Sequence, residues 1–164
     1  MNPMKQTLYR QEIRPDDLDA IESIVRSSGF FSPAEIDIAR ELASDRLSHG
    51  KQSAYEFLLA ESGGQVVGYT CYGPIPATAG SYDLYWIAVS ESMRKKGLGK
   101  ALLTKTEHLI LTAGGLNIYA ETSSRTQYEP THRFYESCGY QPQAVLQNFY
   151  APGDSKIIYT KTIK

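Results

Sequence analysis

The side chains best suited to chemistry lie in one short segment, "VSESMRKKGLGKALLTKTE", from Val89 to Glu107. A helical pattern of apolar residues starts there at Leu98. Four cations and two glycines surround that start, namely Arg94, Lys95, Lys96, Gly97, Gly99 and Lys100. The first backbone N–H groups of a helix lack intrahelical partners and the helix dipole is positive there, so a phosphate can collect several donors. Glycine lets the backbone approach such an anion closely.

Helix stability alone does not explain these cations. A positive side chain at a helix N-terminus opposes the dipole by about 0.3 to 1 kcal/mol when no ligand is bound. A bound anion would reverse that effect. We therefore expect residues 94–100 to hold a bound anion.

Strands and helices alternate around this segment. Alternating side chains predict a strand over Leu8–Arg14, and an apolar helical face follows it. Ser32, Pro33 and Glu35 form the N-terminal signature of a second helix. Gly63-Gly64 joins two β-rich runs, as in a hairpin.

The second half of the chain continues this alternation. It contains a strand "YDLYWIAV", a helix over Leu98–Thr112, a strand "LNIYAET", a helix around "HRFYESCG", and final strands near "AVLQNFY" and "KIIYTK". Pro130 predicts a longer loop before the last helix. The order β-α-α-β-β-β-α-β-α-β-β indicates an α/β mixture with an antiparallel first half, within a single domain of residues 1–164.

Composition limits the class of protein. Hydrophobic residues make up 41% and charged residues 21%, near globular norms. Seventeen Lys plus Arg against 18 Asp plus Glu give a net charge of -1, which predicts neither nucleic-acid nor membrane binding. No segment approaches the roughly 20 apolar residues that span a bilayer, so we expect a cytoplasmic protein. Cys71 and Cys138 have no metal or disulfide spacing, so we expect reduced thiols and no metal.

Three anion-binding patterns compete for the segment. A P-loop would need Gly at Arg94 and Ser or Thr at Ala101. A dinucleotide fingerprint would need Gly or Ala at Leu102, together with an early parallel βαβ unit. The third pattern is Arg/Gln-x-x-Gly-x-Gly/Ala, and "RKKGLG" matches it. Through this motif the segment resembles the loop of the GNAT superfamily, the acetyl-CoA-dependent N-acetyltransferases.

The resemblance covers most of the chain. It includes the "IAV" strand end before the loop, the segment "FYESCGY" from Phe134 to Tyr140, and the order of elements. A weaker likeness is to the ribosomal-protein N-terminal acetyltransferase branch. The resemblance implies a mixed, mostly antiparallel central sheet of about seven strands with about four helices. It also implies a V-shaped cleft between the fourth and fifth strands.

The same resemblance implies where acetyl-CoA binds. The CoA pyrophosphate would lie on the backbone amides from Arg94 to Lys100. The pantetheine arm would pair with the strand that ends at Ile87, Ala88 and Val89. Tyr128 stands where many relatives have Asn, and we expect it to take over that contact to the CoA arm.

The implied reaction is attack of a primary amine on the thioester. A lysine-like amine has a pKa near ~10.4, so its free base at pH 7 costs roughly 4 to 5 kcal/mol and a base is useful. Glu121 resembles the strand-end Glu of the ribosomal branch and is the candidate base. Asp83 is the reserve base or an amine-recognising carboxylate. Tyr135 matches the family Tyr that often stands beside the CoA sulfur, and is the candidate acid. A surface ion pair for Glu121 and a core position for Tyr135 are the alternatives.

Acceptor contacts are expected from two further regions. Phe30 and Phe31, between the first two helices, are expected in the acceptor wall, although core packing would also explain them. Tyr150 and Asp154 of the C-terminal hairpin are secondary candidates, which turn formation alone would explain.

Weaker arguments suggest chemical roles for two other residues, His132 and Cys138. His132 lies one helical turn before Tyr135 and would suit a proton relay, but a solvated histidine is the stronger interpretation. Cys138 would suit an acetyl-accepting nucleophile, but a small packed side chain is the stronger interpretation.

The predicted function is therefore an N-acetyltransferase that acts on a small-molecule amine or a peptide N-terminus. The alternative is a non-catalytic acyl-CoA-binding sensor or scaffold, which would keep residues 94–100 but would not need Glu121 or Tyr135. The resemblance also allows a homodimer. The sequence leaves the acceptor open.

Overall fold

The computed structural model describes residues 6–164, and in this range seven strands form one sheet. The strands are β1 Leu8–Arg10, β2 Glu56–Ser62, β3 Gln65–Pro74, β4 Ser81–Val89, β5 Asn117–Ser123, β6 Gln141–Ala151 and β7 Asp154–Thr162. Their spatial order is β1-β2-β3-β4-β5-β7-β6. The helices are α1 Asp17–Ser27, α2 Pro33–His49, α3 Leu98–Thr112 and α4 Glu129–Ser137.

This architecture confirms the predicted mixed α/β class with a mostly antiparallel sheet. The β4–β5 pair is parallel, with register Ser81↔Asn117 to Leu84↔Ala120. The pairs β1–β2, β2–β3, β5–β7 and β6–β7 are antiparallel. The V-shaped cleft implied by the resemblance stays a prediction.

Local signals placed several elements correctly. The Ser32 hydroxyl accepts from the Glu35 N–H at 3.2 Å, and the Glu35 carboxylate accepts from the Ser32 N–H at 2.7 Å. This reciprocal capping box fixes the start of α2. The hairpin between β2 and β3 turns at Gly63 and Gly64, both with positive φ. Helix α3 has the predicted bounds.

Two boundaries differ from the prediction. β1 ends at Arg10 rather than Arg14, because the Arg14 N–H donates to the Asp17 carboxylate at 2.7 Å in the turn that leads into α1. α4 already begins at Glu129, so the predicted long loop is wrong. Pro130 lies in the first turn of α4, where its missing N–H removes no helical hydrogen bond.

Contacts divide the chain into two units. The first comprises the described residues up to Gly73 together with Trp86–Thr106, and the second comprises Pro74–Tyr85 together with Glu107–Lys164. In the first, α1 and α2 pack with β2 and β3 around fully buried side chains, including Ile21, Val25, Phe57, Leu59 and Tyr69. In the second, alternate residues of β5, including Ile118 and Ala120, are buried. In the described part of the chain, no helix has the length and apolarity that crossing a membrane would require.

A charged network ties β1 to α1 and β2 in the first unit. Arg10 donates from Nε to Glu61 at 2.6 Å, and from Nη2 and Nη1 to the two oxygens of Asp17 at 2.6 and 2.7 Å. Asp17 is only 3% exposed. The guanidinium is therefore the counterion of a buried carboxylate, and its removal would leave that charge uncompensated.

Replacing Arg10 by Met should destabilise the protein by about 3 kcal/mol, because Asp17 would stay buried without its cation. Urea unfolding followed by fluorescence of Trp86, the single Trp of the chain, measures this loss. Arg26→Met is the matched control, since the Arg26 side chain is 61% exposed in its pair with Glu22. That variant should lose less than about 1 kcal/mol. Equal losses in both variants would contradict the assigned role of the network.

Candidate active site

The predicted anion-binding segment is a short loop of the first unit. β4 ends at Val89, one 3-10 turn covers Glu91–Met93, and α3 begins at Leu98. Lys95 and Gly97 have positive φ angles of 60° and 83°. A left-handed residue beside residues of ordinary conformation turns neighbouring N–H groups to one side, which makes an anion-binding concavity. For Lys95, which has a Cβ, this conformation costs roughly 1 to 2 kcal/mol.

The cations of this loop are exposed. They are Arg94, Lys95, Lys96 and Lys100. Among the residues that the structure describes, no carboxylate lies within 4.0 Å of their charged nitrogens. The Ala101 N–H donates to the Gly97 carbonyl at 3.1 Å, so the amides of residues 98–100 precede the helical ladder. The loop therefore offers both positive charge and backbone donors to an anion.

The strand that leads into the loop is held by β3. Ser90 N–H donates to the Val67 carbonyl at 2.8 Å. A Cβ on Gly68 would lie 3.2 Å from the Ala88 carbonyl oxygen and 3.0 Å from Leu102 Cδ1, so glycine permits this close packing. Ile87, Ala88 and Val89 are half-buried at the end of β4. Their pairing with a pantetheine arm stays a prediction.

The two predicted carboxylates lie in the second unit and influence each other. Asp83 on β4 pairs with Tyr119 of β5, and Glu121 follows two residues later on the same face of β5. Burial raises the pKa of Asp83, and the negative charge of Glu121 raises it further. A hydrogen bond from Tyr85 and the charge of Lys156 lower the Asp83 pKa in part. Asp83 is therefore a better proton acceptor than an exposed aspartate.

The structure adds Lys156 of β7 to this group. Its Nζ lies 2.7 Å from Glu121 Oε2, and its side chain is 11% exposed. The same nitrogen lies 3.6 Å from the Phe149 ring centroid and 5.7 Å from that of Tyr150. Sequence analysis missed Lys156 because the strand pattern of "KIIYTK" does not identify the neighbouring strand or the register. For Glu121 the alternative prediction is a surface ion pair, and the contact with Lys156 is such a pair.

Tyr135 of α4 is buried among aromatic rings. It is 5% exposed, and its ring centroid lies 5.6 Å from that of Tyr159 and 5.5 Å from that of Tyr140. Burial raises the pKa of Tyr135, so the phenol keeps its proton at neutral pH. The hydroxyls of Tyr140 and Tyr159 donate to Glu107 and Glu136, each at 3.2 Å. The described residues provide no such bond for the Tyr135 hydroxyl, which is thus available as a donor.

His132 of α4 contacts the end of β5, and the end of β5 in turn contacts the start of β7. His132 Nε2 lies 2.8 Å from the Ser123 carbonyl oxygen, and the ring stacks on Tyr159. His132 is therefore half-buried, and the expectation of a solvated histidine is wrong. Asp154 is buried, accepts from the Ser123 hydroxyl and lies 3.3 Å from Arg125 Nε, so it does more than form the turn.

The remaining predicted side chains have varied surroundings. Tyr128 is buried with the Arg125 guanidinium 5.7 Å from its ring centroid. Phe31 packs edge-on against Trp86 at 4.9 Å, whereas Phe30 is 41% exposed. Tyr150 is 47% exposed.

Neither cysteine forms a disulfide with the other. Cys71 is buried, and burial raises its thiol pKa, whereas Cys138 is half-buried. Within residues 6–164, no three His, Cys, Asp or Glu side chains are grouped to hold a metal ion.

A pocket of about 860 Å³ also lies within the first unit. Residues of α1, of β3 and of the segment after β4 line it, including Ser23, Ser27, Val66, Ser90 and Ser92. No predicted catalytic residue lines this pocket, so its size alone does not locate the chemistry.

Comparison with known proteins identifies the family of this chain. The sequence model described as "Acetyltransferase (GNAT) domain" matches residues 53–142, which include the loop before α3 and all of α4. The chain belongs to this GNAT acetyltransferase family. The resemblance seen in the sequence is therefore confirmed.

A solved structure from Desulfovibrio desulfuricans, assigned to the GNAT acetyltransferases, is 44% identical to this chain. The match covers 96% of this chain and 99% of that chain, with a TM-score of 0.94. Two more distant structures show the same fold at a TM-score of 0.76 each. They are an aminoglycoside 6'-N-acetyltransferase complexed with coenzyme A (20% identical, covering 96% and 97%) and the ribosomal-protein-S18-alanine N-acetyltransferase of Escherichia coli (19% identical, covering 96% and 94%).

The raised pKa of Asp83 predicts a pH-dependent stability. Between the Asp pKa of the unfolded chain, 3.8, and the higher folded value, the native state binds more protons, so stability falls as pH rises through this window. The substitution Asp83→Asn removes this pH-dependent loss of stability. We expect the variant to gain stability over the wild type when pH is raised from about 3 to 7, in urea unfolding followed by circular dichroism. Asp37→Asn, on the exposed surface of α2, is the control and should show no such gain. A flat difference for Asp83→Asn would contradict the raised pKa.

Proposed function

We propose that this protein acetylates a primary amine with acetyl-CoA as the donor. The observation that carries this proposal is the loop before α3, where four exposed cations, which have no carboxylate partner among residues 6–164, surround left-handed residues at a helix N-terminus. These features suit the pyrophosphate of CoA. Arg94 to Lys100 would hold that group, and acetyl-CoA when bound supplies an activated acyl thioester. Family membership supports the donor, and one structural neighbour was solved as a complex with coenzyme A.

The carboxylates of the second unit suit the amine. An ammonium is attracted by Asp83 and Glu121, and must lose a proton before it can attack a thioester. Asp83 is partly buried and its pKa is raised, which brings that pKa closer to the working pH. Glu121 stays a candidate base as well, with its carboxylate held by Lys156 at 2.7 Å. We propose that this pair accepts the proton of the amine.

The Tyr135 hydroxyl would donate to the departing sulfur. A thiol has a pKa near 8.5 and an ordinary phenol near 10, so complete proton transfer is uphill by at least about 2 kcal/mol. Because burial raises the Tyr135 pKa further, the hydrogen bond to the developing thiolate is the larger part of its contribution. The C–N bond forms as the C–S bond breaks, and the proton that the nitrogen then loses restores the one that Tyr135 gives to the sulfur, so the products are the amide and the CoA thiol.

The same charges and two structural neighbours support an amine acceptor. One neighbour is an aminoglycoside acetyltransferase and another acts on a ribosomal-protein alanine, so both names describe amine acceptors. We propose a small-molecule amine or a peptide N-terminus for this protein. A turnover assay that follows thiol release from acetyl-CoA against peptides, amino acids, polyamines and aminoglycosides tests this proposal. Tight CoA binding without turnover on any amine would support the sensor instead.

Removing two loop cations should weaken CoA binding. In Arg94→Ala/Lys96→Ala, we expect the Kd for CoA from calorimetry to rise at least about tenfold, since each lost contact to phosphate is charge-assisted. Lys51→Ala/Lys105→Ala is the matched control, because it removes two exposed cations elsewhere in the first unit. Its Kd should change less than about threefold. Similar Kd values for both double variants would exclude the loop as the CoA site.

Removing the Tyr135 hydroxyl should slow turnover more than binding. For Tyr135→Phe we expect kcat to fall roughly 100- to 1,000-fold, with the Kd for CoA within about threefold of the wild type. Tyr159→Phe removes a hydroxyl from the neighbouring ring and should keep kcat within about threefold. An unchanged kcat in Tyr135→Phe would refute the assigned role of this residue.

A further inference from the structure

The Glu121 carboxylate already has a resident cation. Lys156 Nζ lies 2.7 Å from Glu121 Oε2, and only 11% of the Lys156 side chain is exposed. The Phe149 ring lies 3.6 Å from the same nitrogen, which adds a cation–π contact. In the sheet, Lys156 pairs with Ser123, two residues beyond Glu121, so the two charges meet across a diagonal of neighbouring strands. An incoming ammonium would have to displace this lysine to bind Glu121.

Asp83 has no comparable partner in the described part of the chain. Among residues 6–164, no cationic nitrogen lies within 4.0 Å of its carboxylate, although the Lys156 charge acts on it from farther away. Its hydrogen bond comes from the neutral Tyr85. The cluster of Asp83, Glu121 and Lys156 therefore has a net charge of -1 when both carboxylates are ionised. One further positive charge would bring the net charge of the cluster to zero.

A second positive charge on the acceptor would meet Lys156. Two other charged groups of the second unit, Asp154 at the start of β7 and Arg125, pair with each other at 3.3 Å, so Asp154 offers no free carboxylate. Next to the cluster, Phe149 and Tyr150 are 51% and 47% exposed and provide apolar surface. These surroundings favour an acceptor with one ammonium and an uncharged, apolar remainder.

We infer that Lys156 is a specificity-determining residue that restricts acceptors to those with a single positive charge near the reacting amine. This inference rests on the proposed function, because it assumes that the acceptor amine binds beside Asp83. By holding Glu121, Lys156 removes the second anionic position that a diamine or polyamine needs. It acts against the wrong acceptors by repulsion rather than by adding a contact to the right one.

The experiment compares two acceptors of equal length, pentylamine and 1,5-diaminopentane. We expect the wild type to prefer the monoamine in kcat/KM. In Lys156→Met, the ratio of monoamine to diamine should fall about tenfold, because Glu121 becomes available to the second ammonium. Lys156→Arg keeps the charge and should keep the ratio. Lys105→Met, which removes a cation from the exposed surface of the first unit, should leave the ratio unchanged.

The outcomes separate the inference from the proposed function. Thermal unfolding of each variant shows that it is folded, and Lys156→Gln gives a second neutral variant with a polar end. If the wild type acetylates amines but the ratio is the same within twofold in both neutral Lys156 variants, the inference is wrong and the proposed function stands. If the wild type acetylates no amine at all, the proposed function fails and the inference fails with it.

Discussion

The register between β5 and β7 is the constraint on which the second unit depends. Seven consecutive pairs join these strands, from Asn117↔Thr162 to Ser123↔Lys156. Because side chains alternate between the two faces of a strand, a slip by one residue would move every β7 side chain to the opposite face. Such a slip would separate Lys156 from Glu121. It would also remove Lys161 from Glu107, which its Nζ now meets at 2.9 Å.

The same register supports the helix that carries Tyr135. Lys161 Nζ donates to the Cys138 carbonyl at 2.9 Å, so β7 satisfies a carbonyl at the C-terminal end of α4. Gly139 continues this helix end with a φ of 88°, and the Tyr140 N–H then returns to the Tyr135 carbonyl at 3.0 Å. The charge beside Asp83 and the placement of Tyr135 therefore have one common cause, which is how β7 pairs with β5.

Local sequence signals predicted the elements well, and non-local pairing explains what they missed. The capping box at Ser32 and the bounds of α3 depend on residues within a few positions of each other. The partnership of Glu121 with Lys156 spans 35 positions and depends on strand register, which no local pattern encodes. Pro130 shows a third case, because a proline is compatible both with a loop and with the first turn of a helix. Only the surrounding structure decides between them.

The loop and the carboxylate cluster both cost stability in the protein without ligands, and a purely structural role would not require that cost. The loop holds exposed like charges and a left-handed Lys95. In the second unit, Asp83 is half-buried beside the negative charge of Glu121. Under the proposed function, an anion would relieve the first arrangement and a cation the second. Since the chain has a net charge of only -1, no overall field would draw either ligand. Under the proposed function, recognition of two oppositely charged ligands would therefore be local, and it would depend on the exposed cations of the loop and on the carboxylate of Asp83.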